Sequence, residues 1–532
     1  MSSASSPGNS PGRNEKILFW ASFFTLIAAG MGFSIRSDII ANWGKDYGFT
    51  QTELGQVTGM GLAGFGVAII FFSFVTDLFG YGVLMVLAFL LHLIAVLTTL
   101  AAPFAFQSSG KEGAYWCLFI GQFTFSLANG TCEAVINPLT ASLFPKNKTH
   151  WLNILHAGWP GGLVLGALVG LGLNQVGGIG WQIRWGIVLL PVLVYGAMMF
   201  GRKFPHSEAK SSGVPVGTMI ITLLSPILLF LFVLHALVGY VELGTDSWIV
   251  DITKAVLASP DKALLAFIWT NVLMFTLRFF AGPIVEKINP VGLLFISAVL
   301  GVAGLWMLGQ SFTDSIWPWM AAVTVYGIGK TFYWPTLLGV ISERFPKGGA
   351  LALGVSGGIG MISAGLLGGP GIGFEQDLYA SKKLQDNSPG TYERYKSGAE
   401  NGFPIPGIFP KVVGLDGAKK GVLMDNGEQL AADLAKLQSA GKKDENLEKL
   451  NAWWQTAKSH AEEDKPRVQE SNIVGGKSAL EVTALVPAAL AVGFLLLILY
   501  FMATGGYKQV HLEAARPSGR PAGGADAGDW GR

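Results

Sequence analysis

One residue of this 532-residue sequence that can do chemistry from an unexpected place is Glu133. It lies in an apolar helical run, within a stretch from Gly130 to Gly162 that reads GTCEAVINPLTASLFPKNKTHWLNILHAGWPGG. Asn137-Pro138 follows one turn later, then a basic loop with Lys146 and Lys148, then a second apolar run carrying Asn153 and His156. A charge at bilayer depth costs about 2.5–3.5 kcal/mol on insertion scales, so it faces a polar interior or pairs with a neighbour. Glu133, Asn137, Asn153, His156 and Gln122 are the side chains here that can meet the hydroxyls of a polar solute directionally.

A counterpart follows at Gly327 to Gly360, GIGKTFYWPTLLGVISERFPKGGALALGVSGGIG. Aligning Asn137-Pro138 on Trp334-Pro335 sets Glu133 opposite Lys330. Each proline sits in an apolar helix that ends in a short basic loop and leads into a glycine-rich helix. Such repeats imply two related halves with a site between them near the midplane. GIGKT lacks the spacing of a phosphate-binding loop, and no nucleophile, metal cluster or catalytic constellation stands out, so an enzyme is not expected.

Other charges inside apolar runs need placing. HALVGYVELGTDSWI brings His235, Glu242, Asp246 and Trp248 towards one side of a helix, with the two acids four apart. Trp248 is read either as a platform for an apolar sugar face or as an interfacial anchor. Arg36 and Asp38 lie near the outer end of the first run, where an arginine can snorkel to water and a short aspartate cannot reach far. Lys330 and Arg278 are the cations of the second half, with Lys330 a candidate partner for Glu242. His92, His156 and His235 each have a packed-core alternative to a ligand role.

The elements that must hold these residues are membrane helices. Hydrophobic residues make up 51% of the chain and charged ones 14%, against about 25% in soluble proteins. Runs long enough to cross a bilayer recur near 17–42, 53–75, 82–102, 114–143, 152–174, 181–200, 218–249, 263–282, 290–310, 316–342, 349–373 and 480–503, which makes twelve. The first run is too long for a signal peptide and reads as a retained span. Net charge +2 gives no reason to expect nucleic acid as a partner. Cys117 and Cys132 lie about 22 Å apart along one helix at 1.5 Å per residue, too far to bridge.

Basic residues of the short loops gather on one side, with Arg13, Lys16, Lys146, Lys148, Arg202, Lys203, Lys210, Lys287, Arg344, Lys347 and Lys508. The rule that such loops face the cytoplasm puts both termini there, in a multi-pass cell (inner) membrane protein. The expected organisation is a disordered tail at 1–16, a six-helix bundle at 17–200, a linker at 201–217, a second bundle at 218–503 and a disordered tail at 504–532. Residues 374–478 interrupt the second bundle as a polar insert outside the cytoplasm. Leu430, Leu434 and Leu437 share one helical face there, and Leu447, Leu450, Trp454 and Ala457 another, so the insert reads as a small helical cap with a looped first half.

This arrangement resembles the major facilitator superfamily, and within it the fucose/glucose–galactose permease branch. The similarity rests on Glu133 followed by Asn137-Pro138, on Leu152-Asn153-Ile154-Leu155-His156, on Asp38-Ile39 upstream of Phe49-Thr50…Gly55, and on Tyr240-Val241-Glu242. The superfamily's loop signature is partly kept: Asp77 and Gly80 remain, its basic positions hold Leu78, Tyr81 and Gly82, and the second copy keeps Gly282 and Glu286. The resemblance implies an all-α integral membrane fold of 12 helices in two pseudo-symmetric six-helix bundles. It also implies a monomeric importer of a monosaccharide or related solute by proton or sodium symport, needing no cofactor. It gives solute recognition to Glu133 and protonation to Asp38, with Glu242 and Asp246 as further cation-coupling candidates and Asp77, Gly80 and Glu286 as a gating loop. Asn137, Asn153, His156, Gln122, Glu242, Trp248, Lys330 and Trp334 complete the expected solute site. Two alternatives stay open: an organic-anion carrier using Arg36, Arg278 or Lys330, and a sensor that keeps the transporter fold. For the first, the deciding feature is a cation that faces the cavity with no acid nearby.

Overall fold

In lipid a backbone must satisfy its own hydrogen bonds, and long apolar runs do so as helices. The computed structural model is built of little else, and it describes residues 12–49, 53–54, 56–57, 61–176, 178–311, 315–439, 441 and 443–512. The first half comprises α1 (Arg13–Tyr47), α2 (Gly61–Phe79), α3 (Tyr81–Leu100), α4 (Ala102–Leu143), α5 (Lys148–Val176), α6 (Trp181–Gly186) and α7 (Leu189–Met199). A linker carrying α8 (Glu208–Ser211) leads to α9 (Val216–Leu223) and α10 (Pro226–Gly239), then a π turn at Tyr240–Gly244 and α11 (Ile249–Leu257). Next come α12 (Pro260–Arg278), α13 (Ala281–Gln310), α14 (Ile316–Lys330), α15 (Tyr333–Arg344) and α16 (Gly349–Ser363). A second π turn at Ala364–Gly368 joins α16 to α17 (Gly369–Asn387).

Nine helices among the described residues are long and apolar enough to cross a membrane. The expected spans 114–143, 263–282 and 316–342 fall on α4, α12 and the α14–α15 pair, which carry Glu133, Arg278 and Lys330. Neither free cysteine is bonded to the other, as their spacing requires.

Helices approach closely where glycine removes the side chain. Along α1 and α5, a Cβ on Gly158 would fall 2.6 Å from the carbonyl of Phe23, and one on Gly166 2.7 Å from Ser34. This seam fixes α5, and His156 with it, against the first half. The two halves meet along α2 and α16, where a Cβ on Gly66 would lie 2.7 Å from the carbonyl of Gly358 and 2.8 Å from Ile362. They also cross: α5 packs on α15 and α4 on α16, the pairing that a two-fold relation between the two repeat segments would give.

At the end carrying the linker, the halves are tied by polar contacts. Lys148 reaches Glu208 at 2.5 Å and the carbonyl of Ser342 at 3.1 Å. Glu343 accepts from the backbone and hydroxyl of Thr149 at 3.1 and 2.6 Å. The chain beyond the last span joins this lock, with Tyr507 donating to Glu343 at 2.6 Å and Gln509 to the carbonyl of Pro145 at 2.5 Å. The first residues of the expected disordered tail are thus bound in place, while 513–532 lie outside the described residues, as do 1–11.

The insert departs from its expected looped start. α17 carries the helix on to Asn387, α18 (Pro389–Tyr395) follows, and the longest non-helical stretch is 396–416, with isolated bridges Lys396–Leu415 and Asn401–Val412. Then come α19 (Gly417–Met424), α20 (Glu428–Ser439), α21 (Glu445–Ala457), α22 (Ala461–Thr483) and the last span, α23 (Leu485–Ala503). α22 returns alongside α17, so the insert stands on a two-helix stalk continuous with the membrane helices. Leu430, Trp454 and Ala457 are buried in its core and Leu434, Leu447 and Leu450 pack against it, in keeping with their spacing. Asp464, fully buried, ties α22 to α18 through Thr391 at 2.7 Å and Arg394 at 2.7 and 2.5 Å.

The seam between the halves is testable. Gly66→Leu overpacks α2 against α16 and is expected to cost on the order of 1–3 kcal/mol, read as a lower melting temperature in detergent. Gly64→Ala, whose Cβ would meet Phe123 at 3.7 Å, leaves it unchanged.

Candidate functional site

Two prolines free backbone carbonyls at the level where the charges sit, because proline has no N–H for the carbonyl four residues before it. Pro160 in α5 frees the carbonyl of His156, and Pro335 in α15 frees that of Thr331. Both carbonyls are taken by one side chain. Arg278, 2% exposed, donates Nη1 to the carbonyl of His156 at 2.6 Å and Nε to that of Thr331 at 2.8 Å. Its Nη2 donates to Glu242 at 3.3 Å. An arginine of the second half thereby holds a helix of the first.

From His156 the chain of contacts continues into the first half. Its Nε2 lies 2.8 Å from Asn137 Oδ1, and Asn137 Nδ2 donates to Glu133 Oε2 at 2.6 Å and to the Glu133 carbonyl at 3.1 Å. Glu133 is 5% exposed. Among the described residues no cation pairs with it.

The second-half charges of this layer are paired. Lys330 forms an ion pair with Asp246, not with Glu242. Glu242 lies within a π turn at Tyr240–Gly244 and Asp246 just after it, and each acid meets its own cation, Glu242 with Arg278 and Asp246 with Lys330. Glu242 Oε2 and His235 Nε2 remain buried without a hydrogen-bond partner among the described residues. His235 sits edge-on to Trp334, ring centroids 4.5 Å apart, and shares a hydrogen bond with Ser356 at 2.6 Å. Glu133, Asn137, His156, Glu242, Asp246, Lys330 and Trp334 therefore line one polar layer shared by α4, α5, the π turn, α14 and α15.

Other expected site residues are placed elsewhere. Asn153 spans the halves nearer the linker end, bonded to the Thr149 carbonyl at 2.9 Å and to Thr336 at 3.1 Å. Gln122 turns to Thr99 on α3 at 3.3 Å. Trp248 gives its Nε1 to the carbonyl of Gly369 at 2.7 Å and packs in the second half. Asp38 is tied to Arg184 at 2.9 Å. His92 is a core residue, held between Tyr195 at 2.8 Å and Asn129 at 3.0 Å.

A family model of the Major Facilitator Superfamily matches residues 19–369. The chain belongs to the Major Facilitator Superfamily. Its fold is shared with the E. coli fucose:proton symporter FucP, at TM-score 0.56 and 12% identity over 91% of this chain and 99% of that one. The proton:xylose symporter XylE, bound to 6-bromo-6-deoxy-D-glucose, matches at TM-score 0.55 and 14% identity over 67% and 87%. In sequence, the cis,cis-muconate transport protein of Acinetobacter baylyi (strain ATCC 33305 / BD413 / ADP1) is 24% identical over 288 residues, covering 52% of this chain and 67% of that protein. Superfamily membership and these transporter neighbours make the chain a multi-pass membrane transporter and not an enzyme.

Within this superfamily frame the expected gating-loop residues sit at the linker end. The backbone carbonyl of Asp77 accepts from Lys210 at 2.6 Å, and its carboxylate lies 3.8 Å from where a Cβ of Gly349 would be, at the first residue of α16. Gly80 takes φ 82°, the left-handed turn that starts α3. Glu286 is exposed. Sequence reasoning gives Arg278 a role only in the anion-carrier alternative, although Pro160 and Pro335 signal the freed carbonyls it binds. It also misses Asn129, Ser356 and Glu375. The last lies on α17, 3% exposed, with Thr483 at 3.2 Å and Tyr240 at 3.5 Å.

The buried pair predicts a double-mutant cycle. Arg278→Met or Glu242→Gln alone strands a buried partner and is expected to cost about 3–5 kcal/mol, seen as lost expression and melting temperature. Combining Arg278→Met with Glu242→Gln recovers only the share due to the stranded charge, since the carbonyls of His156 and Thr331 still lack their donor.

Proposed function

We propose that this transporter moves a small polar solute of monosaccharide size inward by cation-coupled symport, with Glu133 taking and releasing the coupling proton. The observation that carries the reading is the pattern of pairing. Arg278 and Lys330 have carboxylate partners, whereas the carboxylate of Glu133 is held by Asn137 alone. A carboxyl shut away from water without a cation is tolerated in its neutral form and opposed in its ionised one. Two states of the site then differ by one proton. If the loaded protonated form and the empty deprotonated form are the ones that change orientation, solute and proton fluxes are linked.

The same face suits a hydroxylated solute. Asn137 and His156 offer directional partners, and Trp334 offers an aromatic surface for an apolar ring face. The fucose:proton and xylose:proton symporters among the structural neighbours support this size and chemistry. Asp38 is the less suitable proton carrier because Arg184 already compensates it. Glu242 and Asp246 are compensated in the same way, so each contributes to coupling only as its cation moves away. No cofactor is invoked; the ion gradient is the energy source. We place the termini and linker in the cytoplasm of a cell (inner) membrane and the insert outside, on the distribution of Arg and Lys among the short loops. A carrier of organic anions is the second reading, favoured by Arg36 and by the likeness to a muconate transport protein.

Proteoliposomes loaded against a panel of monosaccharides and small organic acids test the reading. An inward pH gradient is expected to drive accumulation, and Glu133→Gln to lower it at least tenfold while solute exchange at equal pH persists. Full accumulation by Glu133→Gln would remove Glu133 from coupling. Dependence on a sodium gradient at equal pH would replace the proton by that ion.

A further inference from the structure

One buried carboxyl of the second half takes no part in the polar layer. Glu375 lies on α17, just past the expected span 349–373, and is 3% exposed. Among the described residues no cation pairs with it. Lys383 of its own helix is paired with Glu470, and Lys477 of α22 donates to the carbonyl of Ser311 at 2.5 Å. Asp377 faces Lys420 at 3.9 Å. The other titratable groups beside Glu375 are Tyr240 of the first π turn and Tyr379 of α17, which also meets Glu481 of α22. Its polar contacts are two hydroxyls, Thr483 Oγ1 on α22 at 3.2 Å from Oε2 and Tyr240 Oη at 3.5 Å from Oε1. Three elements therefore meet at one uncompensated acid.

The hydrogens at this site decide its protonation. A threonine hydroxyl has one hydrogen to give, and that of Thr483 goes to the carbonyl of Ala479 at 2.7 Å. Thr483 thus turns a lone pair to Glu375, and their contact is a hydrogen bond when the carboxyl supplies the proton. An ionised carboxylate would face that lone pair with only the distant hydroxyl of Tyr240 as donor, shut away from water. The place is also a joint. The turns at Tyr240–Gly244 and Ala364–Gly368 pack backbone to backbone: a Cβ on Gly244 would fall 2.8 Å from the Cα of Gly368, and one on Gly368 2.8 Å from the carbonyl of Tyr240. A Cβ on Gly371 would lie 2.6 Å from Tyr240 Oη and 3.1 Å from Phe403 of the insert. Helices bend at π turns, and here two of them are stacked beneath the stalk.

We infer that Glu375 is a second proton-binding group, whose proton closes the joint between the insert's stalk and the π turn that carries Glu242. Protonated, Glu375 donates Oε2–H to Thr483 and accepts from Tyr240 at Oε1, clasping α22 and the turn to α17. Ionised, it loses the bond to Thr483 and draws water into the seam, and turn and stalk part. The closed joint holds one proton more than the open one, so acid keeps it closed and alkali opens it. The joint stands at the end of the bundle that bears the insert, away from the linker, and answers to the pH on that side. It thereby carries that pH to the turn from which Glu242 meets Arg278. The assignment goes beyond the symport reading and does not depend on the proton of Glu133.

Hydrogen–deuterium exchange of the full chain in detergent, with no solute present, reads the joint directly. After correction for the intrinsic pH dependence of amide exchange, rates over 240–248 and 371–379 are expected to rise at least tenfold from about pH 5 to about pH 9, a range that spans the titration of buried carboxyls. Glu375→Gln should keep both segments protected throughout, because its amide donates to Thr483 and accepts from Tyr240 without titrating. Thr483→Val deprives the neutral acid of its acceptor and should move the opening to lower pH. A parent profile that is flat or falls with pH would overturn the inference, whatever solute uptake shows. So would a Glu375→Gln profile that matches the parent, since another group would then be opening the joint. If Glu375→Gln does not fold, Thr483→Val decides, and an unshifted opening there would contradict the assigned bond.

Discussion

The contact on which the molecule's centre depends is Arg278 between two carbonyls that prolines have left free. Pro160 withholds an N–H from His156 and Pro335 withholds one from Thr331, and a single guanidinium supplies both while meeting Glu242 with its remaining edge. Without that cation, two buried carbonyls and a buried carboxylate would lack donors. With it, α5 of the first half is hydrogen-bonded to the second half at the level of the polar layer. A machine that alternates between orientations must remake this contact, so the position of His156 reports on the second half as well as the first.

Charge is distributed asymmetrically about that contact. In the central layer the second half pairs its cations with acids, Arg278 with Glu242 and Lys330 with Asp246, whereas Glu375 on α17 is held by Thr483 and Tyr240 alone. The first half holds an acid and a cation apart, Glu133 against Asn137 and Arg36 against Phe33. Groups left uncompensated in a dry interior are costly, and such cost persists where function uses it. Within the central layer the second half is the balanced frame, and the first half carries the carboxyl that a proton completes.

Much of this is legible in the amino-acid sequence. The run Glu133…Asn137-Pro138…His156 marks the layer because a carboxylate in an apolar helix demands an explanation, and Asn137 and His156 do lie next to it. Composition and span length require a helical membrane protein, and the paired proline segments announce two halves, seen in the crossed packing of α5 on α15 and α4 on α16. What is not legible is which charge meets which. Spacing offers Lys330 to Glu242 and Asp246 alike, and only the structure shows that it meets Asp246 while Arg278 meets Glu242. Gln122 and Trp248 look equally suited from sequence, yet Thr99 and the Gly369 carbonyl claim them. Polar residues after 373 suggest that the span stops there, whereas α17 and α22 support each other as a stalk through the insert, and a helix with a packed partner tolerates a polar sequence.

The central claim is that Glu133 is the carboxyl whose proton accompanies the solute. The most direct measurement is infrared difference spectroscopy of the reconstituted protein on solute addition, following the carbonyl stretch of protonated carboxyl groups. The account predicts a solute-induced carboxyl band in the parent that disappears in Glu133→Gln and persists in Asp38→Asn. A band that survives in Glu133→Gln and vanishes in Asp38→Asn would contradict it.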